Sequence, residues 1–303
     1  MSDFTSSFWS WFIIAIVVGG IAWMAYLLKV TNKNDVPADQ LGKPTGHVWD
    51  EDLVELNNPL PQWWLVMFYV TIVFGIVYLV LYPGLGSFKG LLGWTGTGQH
   101  AAEMKAAEEQ TAPLYDKFMA QDIAALAQDR DAMKTGERLF VNYCAVCHGS
   151  DARGARGFPN LRDDDWLYGG TPEAIKASIL NGRHGVMPSW EAPLGGEAGV
   201  NEVTHYVMSL SGRKVDEAAA KRGAEKYAMF CAGCHMPDGS GNQALGAPRL
   251  NDGTWLYGGS PRAIKTSIAK GRSGIMPAHA EFLGEARVHV LAAYIFSLSH
   301  EDD

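Results

Sequence analysis

Cysteine is scarce in this chain of 303 residues, with only four present. All four fall in two copies of one pattern: Cys144-Ala-Val-Cys147-His148 and Cys231-Ala-Gly-Cys234-His235. No cysteine is therefore left over for a disulfide framework. The pattern C-x-x-C-H is the attachment motif of c-type haem, in which both thiols form thioethers with the porphyrin and the histidine ligates the iron. We predict two covalently bound haem c groups, each carrying one iron.

Two other chemistries of C-x-x-C compete with haem attachment. Paired knuckles of a structural zinc site usually lie about 15–20 residues apart, whereas Cys147 and Cys231 are much more distant. A thioredoxin-like redox pair could use either copy, but it would not explain why a histidine follows both copies. Covalent haem accounts for the whole pattern.

An excess of positive charge is also missing. Lys and Arg together number 25, Asp and Glu number 33, and the formal net charge is -8. This balance argues against nucleic acid as a partner, because nucleic-acid-binding domains are normally basic. It also argues against a polybasic patch for lipid headgroups.

Charged residues are absent from two long apolar stretches, Phe8–Leu28 and Trp63–Tyr82. Each has about the 20 residues that a helix needs to cross a bilayer, and aromatic residues of the interfacial type lie at the ends of both. We predict two transmembrane helices, within residues 1–30 and 62–83. The alternatives are buried core helices or, for the first stretch, a cleaved signal peptide, although the basic segment that begins such a peptide is missing.

The positions of lysines and of the haem motifs predict the topology. Lys29, Lys33 and Lys43 lie in or beside the segment 31–61 between the spans, which favours a cytoplasmic loop by the positive-inside rule. Bacterial haem c attachment is completed outside the cytoplasmic membrane, so the part after the second span is expected in the periplasm. The lipid bilayer of a bacterial inner membrane is thus an expected partner.

The chain from residue 131 onward consists of two similar copies. The first contains LRDDDWLYGGTPEAIKASILNGRHGVMP and the second LNDGTWLYGGSPRAIKTSIAKGRSGIMP. The predicted fold class is all-α: two N-terminal transmembrane helices followed by two tandem class I cytochrome c-like domains, 131–213 and 214–303. Residues 84–130 are expected to form a linker and a helical spacer.

The repeat also supplies candidates for the second axial ligand of each iron. Met187 and Met276 occupy equivalent positions, and each precedes a proline. We expect each methionine to pair with the histidine of its own repeat, His148 or His235. Met/His ligation raises the reduction potential and leaves no open position for a substrate. Plain core packing of the methionines is the alternative, and the nearby histidines, His184 and His279, are rival ligands that do not occupy matching positions.

Further residues recur around the motifs. The predicted contacts to the haem edge or propionates are Trp166, Tyr168, Arg183, Trp255, Tyr257 and Arg272. The alternative interpretation is core packing for the aromatic residues and solvent exposure for the arginines.

The segment before the second span carries a resemblance to a known family. His47-Val-Trp-Asp-Glu-Asp-Leu continues into Glu55-Leu-Asn-Asn-Pro-Leu-Pro-Gln-Trp-Trp64. Together with the two C-x-x-C-H repeats, this stretch resembles the membrane-anchored diheme subunit of cbb3-type cytochrome c oxidase. The resemblance covers nearly the whole chain from about residue 30, and Gln62 stands where the family often has an arginine.

The resemblance implies a role in respiratory electron transport. Electrons would arrive from a soluble or membrane-bound c-type cytochrome and pass through both haems to a monohaem cytochrome c subunit. The haem-copper catalytic subunit would then reduce oxygen and pump protons, so this chain would not be an enzyme by itself and has no catalytic residues. A free membrane-tethered electron shuttle for another periplasmic enzyme and a diheme peroxidase are the alternatives.

Overall fold

The computed structural model describes residues 6–32 and 37–300. Three predicted segments extend beyond these ranges. Residues 1–5 of the region predicted to contain the first span, Lys33 of the predicted loop and the last three residues of the second predicted domain lie outside the described residues. The chain divides into two compact units, one ending at Glu109 and one beginning at Gln110.

Both charge-free stretches form helices in the first unit, as predicted. Helix α1 covers Ser7–Thr31 and helix α2 covers Gln62–Leu81. Both are long and apolar enough to cross a membrane. Their apolar side chains are mostly exposed, and the buried residues of the two helices are Ser10, Leu28 and Leu65. Because a helix that is apolar all round requires an apolar environment, these helices indicate membrane anchoring.

The segment between α1 and α2 contains a β-hairpin, which corrects the all-α prediction. Strand β1, Pro44–Trp49, pairs antiparallel with strand β2, Leu53–Leu56. The turn contains Asp50 (φ 47°) and Glu51 (φ 71°). Three residues thus join the paired Trp49 and Leu53, which is a common loop length for a hairpin. The sequence pattern indicates only a loop in this segment.

The second unit is mostly helical and begins within α3, Gly96–Met119. The remaining elements are α4 (Ile123–Leu126), α5 (Arg130–Tyr143), α6 (Ala145–His148), α7 (Pro172–Asn181), β3 (Arg183–Met187), α8 (Glu197–Leu210), α9 (Glu217–Phe230), α10 (Ala232–His235), α11 (Pro261–Lys270), β4 (Arg272–Met276) and α12 (Ala280–Leu298). Helix α12 is interrupted at Gly284, which has non-helical backbone angles.

The capping residues explain where α7 and α11 begin. The Thr171 hydroxyl accepts a hydrogen bond from the Ala174 N–H, and the Ser260 hydroxyl accepts one from the Ala263 N–H. A proline follows each cap at the first helical position, where its missing N–H costs nothing. Both helices end at a glycine with positive φ, Gly182 and Gly271, which stops a helix without steric cost.

The two hydrophobic cores do not follow the division into repeats. The first core joins Phe140 of α5 and Ile175 of α7 to Leu291 of α12. The second core joins Tyr227 of α9 to Val203 of α8, together with Ile264 of α11. The C-terminal helix of each repeat therefore packs on the N-terminal helix of the other repeat.

Glycines at the helix crossings allow this exchange. A Cβ atom on Gly136 of α5 would lie 2.5 Å from the Tyr294 Cβ of α12. A Cβ atom on Gly223 of α9 would collide with the Glu202 carbonyl oxygen of α8. Glycine permits such close backbone approach, so both repeats carry the same crossing, each with the helix of the other copy.

Strands β3 and β4 form a second antiparallel pair and a second departure from the all-α prediction. Their register pairs Arg183 with Met276 and Met187 with Arg272. Each strand comes directly before the C-terminal segment of its repeat. Beyond this β3–β4 ribbon, each C-terminal segment therefore packs in the core of the other repeat.

Candidate functional site

Each C-x-x-C-H motif forms one helical turn directly after a long helix. In the first motif the His148 N–H donates to the Cys144 carbonyl oxygen at 3.0 Å. In the second motif the His235 N–H donates to the Cys231 carbonyl oxygen at 2.9 Å. The turn thus brings the cysteines and the histidine of one motif close together, as attachment of one porphyrin requires.

Both motif histidines are buried and oriented by a backbone carbonyl. Nδ1 of His148 lies 3.0 Å from the Pro159 oxygen, and Nδ1 of His235 lies 3.0 Å from the Pro248 oxygen. An Nδ1–H that donates to this carbonyl leaves Nε2 as the free ligand atom. Burial lowers the pKa of both rings. The neutral form that an iron ligand requires is therefore favoured at both sites.

The first cysteine of each motif faces the protein interior. Burial raises the pKa of the Cys144 and Cys231 thiols to about 11 in both cases. Cys144 packs against the first core, and Cys231 is part of the second. Their sulfur atoms are thus placed at the apolar wall of each site, where a porphyrin edge would be sheltered from water.

The methionines lie at the opposite sites from those expected. Met276 packs against the first core, which also contacts Cys144, and Met187 packs against the second core, which contains Cys231. Each methionine thus packs on the core that holds the haem motif of the other repeat. The physical reason is the β3–β4 ribbon, beyond which each chain segment enters the other core.

The rival histidines have different surroundings. His184 is an exposed residue of β3, opposite Ile275 in the ribbon. His279 lies close enough to His148 for its charge to contribute to lowering the pKa of His148, after the larger effect of burial. Trp190 holds the equivalent position after Met187 and packs on the second core. The first site thus has an additional histidine near the motif histidine, whereas the second site has Trp190 in the equivalent position.

The recurring arginines and tyrosines form matched pairs. The Arg183 guanidinium lies 4.6 Å from the centroid of the Tyr168 ring, and that of Arg272 lies 4.3 Å from the Tyr257 ring. Each arginine also donates from Nε to a serine hydroxyl at 2.9 Å. In the described part of the chain, buried Nη2 of Arg272 has no hydrogen-bond partner. A buried donor of this kind suits an anionic group such as a haem propionate.

One cavity of about 1070 Å³ is lined by the loops that follow both histidines. Trp166 and Trp255 contribute to its wall, as do Pro159 and Pro248, whose carbonyls hold the histidines. The loops also touch, since the Gly157 N–H donates to the Leu256 carbonyl oxygen. The cavity and this contact therefore bring together the two loops whose prolyl carbonyls orient the motif histidines.

Several site residues were not identified from the sequence. The Tyr227 hydroxyl donates to the Met236 carbonyl oxygen at 2.8 Å, and burial raises the pKa of Tyr227. Burial also raises the pKa of Asp163 and Asp252, which line the cavity at equivalent repeat positions. Alignment of the two repeats could have singled out this aspartate pair.

Comparison with known proteins covers both parts of the chain. Residues 42–89 match a family described as the N-terminal domain of cytochrome oxidase-cbb3, FixP. Residues 131–207 and 218–295 match cytochrome c oxidase, cbb3-type, subunit III.

Full-length relatives show the same similarity. The cbb3-type cytochrome c oxidase subunit CcoP of Rubrivivax gelatinosus is 52% identical over 99% of this chain and 97% of the relative. The FixP subunit of Azorhizobium caulinodans is 39% identical over 86% and 95%, respectively. The CcoP subunit of Rhodobacter capsulatus is 35% identical over 89% and 98%. With the haem motifs, the apolar helices and these matches in agreement, the chain belongs to the CcoP/FixP family, subunit III of cbb3-type cytochrome c oxidase.

Proposed function

We propose that this chain conducts electrons through two haem c groups to the other subunits of a cbb3-type oxidase. Cys144 and Cys147 would hold one group, and Cys231 and Cys234 the other. When bound, haem c supplies a one-electron iron couple. The observation that carries this proposal is the pair of C-x-x-C-H turns, each with a buried histidine oriented by a prolyl carbonyl next to the motif cysteines. Both turns lie within one compact unit.

The axial ligands are assigned across the repeats. His148 pairs with Met276 at the first site, and His235 pairs with Met187 at the second, because each methionine packs against the core of that site. His279 is the competing ligand at the first site. Met276 is preferred because the second site has a methionine in the equivalent place and Trp190 instead of His279, and tryptophan does not ligate iron in this way.

The chain's own residues keep both sites closed and apolar. The prolyl carbonyls fix the histidine rings, while the cores exclude water from the sulfur side. Arg183 and Arg272 are proposed to face the propionates, and Trp166, Tyr168, Trp255 and Tyr257 the porphyrin edges. With two protein ligands on each iron, no position is open for a substrate, which supports electron transfer over peroxidase chemistry.

The location and partners follow from the family and from the two apolar helices. We place α1 and α2 across the bacterial inner membrane, the segment 31–61 in the cytoplasm and the tandem cytochrome c-like part in the periplasm. The donor is a periplasmic c-type cytochrome, and the acceptor is the monohaem subunit, followed by the haem-copper subunit. The alternative, a free tethered shuttle, is not favoured, because the match over residues 42–89 is to an oxidase-specific segment.

The crossed ligation is tested in a form with only one haem. Replacing Cys231→Ser and Cys234→Ser leaves the first attachment motif intact. In this background Met276→His is expected to lower the potential of the remaining haem, because a second histidine replaces the thioether. Met187→His is the matched control and should leave that potential nearly unchanged. Redox titration by absorption measures both.

The reverse result would restore the within-repeat pairing. A potential that responds to Met187→His and not to Met276→His would contradict the crossed assignment. A high-spin spectrum of the unsubstituted single-haem protein would contradict His/Met ligation itself. Complete oxidase with both motifs intact should oxidise reduced cytochrome c, and loss of either haem should slow this reaction strongly.

A further inference from the structure

The β1–β2 hairpin has an exposed apolar surface on both of its faces. Trp49 pairs with Leu53, and the neighbouring pair joins Val48 to Val54. Successive residues of a strand point to opposite faces, so one pair lies on each side. The exposed fractions are 58% for Trp49 and 63% for Leu53. Every residue of both strands is exposed.

An isolated two-stranded hairpin of this kind is marginally stable in water at best. Antiparallel sheets in water normally expose one polar face. In this hairpin both faces carry apolar residues. Glu51 adds strain, because it has positive φ, a region that residues other than glycine, asparagine and aspartate rarely occupy. A second surface that covers the hairpin would stabilise it.

The charge of the hairpin tip identifies that surface. Asp50, Glu51 and Asp52 form the turn, and Glu55 follows in β2. The sequence has no lysine or arginine between Lys43 and Lys89. Within residues 6–32 and 37–300, no ion pair involves the three acidic residues of the turn. The tip therefore presents uncompensated negative charge beside an apolar ribbon.

Lipid headgroups are a poor match for this surface. The cytoplasmic leaflet carries anionic lipids and a negative surface potential, which repels an acidic tip. Cytoplasmic loops of membrane proteins, in contrast, carry an excess of lysine and arginine. The hairpin lies between the two spans of the chain and so stays close to the membrane surface, where such loops are found.

We propose that the β1–β2 hairpin docks on a basic, apolar-lined cytoplasmic surface of another membrane-embedded subunit of the same oxidase. Trp49 and Leu53 act as the apolar anchors, and the acidic tip pairs with lysine or arginine side chains. This contact fixes the chain in the complex from the side of the membrane opposite the haems. The inference rests on the proposed topology.

The first experiment places a photoreactive benzoylphenylalanine at Trp49 in the assembled oxidase. Irradiation is expected to join the chain to a cytoplasmic loop of another subunit, identified by mass spectrometry of the purified complex. Adducts with lipid alone, or no adduct to another subunit, would overturn the docking proposal.

The second experiment removes the charge and keeps the turn. Asn tolerates positive φ well, so Asp50→Asn with Asp52→Asn preserves the hairpin geometry. Co-purification of the chain with the oxidase at moderate salt is expected to fall by about tenfold. The matched control, Glu217→Gln with Glu225→Gln on exposed positions of α9, removes the same charge and should leave recovery unchanged. Equal recovery of both double variants would contradict the proposal.

A third measurement separates this inference from the proposed topology. A cysteine introduced as Glu51→Cys is the only thiol not assigned to haem. It should react with a membrane-impermeant maleimide only in inverted membrane vesicles. Labelling from the periplasmic side would overturn both the topology and the docking proposal. Cytoplasmic labelling combined with lipid-only photoadducts would overturn the docking proposal alone.

Discussion

The two C-x-x-C-H sites have the same backbone conformation but differ in the residue that follows the histidine and in the hydrogen bond made to it. Gly149 follows the first site with φ 77° and ψ 152°, and Met236 follows the second with φ 64° and ψ 156°. This region of backbone space is essentially restricted to glycine. At the second site Tyr227 stands where the first has Phe140, and its hydroxyl binds the Met236 carbonyl. A side-chain hydrogen bond thus accompanies the strained residue only where glycine is absent.

The sites also differ on the side where the exchanged segments enter. His279 follows Met276 at the first site, and Trp190 follows Met187 at the second. The Trp190 ring packs near Phe230 with centroids 5.8 Å apart, whereas buried Nδ1 of His279 has no partner among the described residues. The first site is therefore the more polar of the two on this side.

The helix crossings provide the largest expected effects. Gly223→Ala would drive a Cβ atom into a backbone oxygen of α8, which cannot move without shifting the helix. We expect a loss of about 3 kcal/mol in the free energy of unfolding. Gly136→Ala meets the Tyr294 Cβ at 2.5 Å and should cost somewhat less, about 2 kcal/mol. Denaturant unfolding of the purified protein measures both.

A control and a spectroscopic readout sharpen this test of the exchanged helices. A Cβ atom added to Gly233 would meet no neighbouring side chain or backbone within 4 Å, so Gly233→Ala should change stability little. Gly223→Ala is expected to disturb the haem held by Cys231 and Cys234 more than the other haem. An equal effect on both absorption bands would contradict two separate cores.

The next effect concerns the hydroxyl group that is present at the second site alone. Tyr227→Phe removes the donor to the Met236 carbonyl and should lower the free energy of unfolding by about 1 to 2 kcal/mol. The reason is that the strained backbone at Met236 loses its restraint while the aromatic ring still fills the core. Thermal unfolding followed at the haem band measures the change. An unchanged midpoint would show that the hydrogen bond contributes nothing.

Removing the backbone strain at Met236 should raise the free energy of unfolding. Met236→Gly is expected to stabilise the protein by about 1 kcal/mol, because residues other than glycine lose about 1–3 kcal/mol in this region of φ/ψ. Gly149→Ala at the first site is the mirror experiment and should destabilise. In the double variant Tyr227→Phe with Met236→Gly, the loss caused by Tyr227→Phe should shrink. Full additivity would contradict the coupling between these residues.

Much of this arrangement could be predicted from local sequence signals. The capping residues Thr171 and Ser260 and the glycines after α7 and α11 set helix limits through short-range hydrogen bonds and backbone freedom, which one sequence reveals. The haem motif likewise places cysteines and histidine on one helical turn. The hairpin escaped prediction because its apolar residues lie on both faces and its turn uses Asp50 and Glu51 in place of glycine or asparagine.

The exchange of segments could not be predicted, because it depends on a choice between two nearly equal copies. Both repeats have a glycine at the crossing, Gly136 or Gly223, and both have suitable apolar residues on the final helix. Either final helix could pack on either partner by pattern alone. The short connection between α8 and α9, residues 211–216, favours an antiparallel helix pair and leaves α12 for α5. Connection length, not local pattern, selects the partner.

The smallest expected effect concerns two carboxyl groups at equivalent positions of the cavity. Asp163 and Asp252 have raised pKa values, chiefly because of burial, with nearby Asp165 adding repulsion. Each also accepts a backbone N–H within its own turn, from Asp165 or Thr254. Asn retains an oxygen for that hydrogen bond and carries no charge. Asp163→Asn and Asp252→Asn should therefore each stabilise the protein near neutral pH, by less than about 1 kcal/mol.

The raised pKa values determine how the stability of the protein changes with pH. Between the unfolded pKa of 3.8 and the raised folded pKa, the folded state binds more protons than the unfolded state. Stability contributed by these groups therefore falls as the pH rises through that window and is constant above it. The two Asn variants should gain over the parent protein across the same window and hold that gain at neutral pH. Asp252 also pairs with Arg249 at 3.5 Å, so Asp252→Asn loses an ion pair and should gain less than Asp163→Asn. A gain that appears only at acidic pH would contradict the burial of these charges.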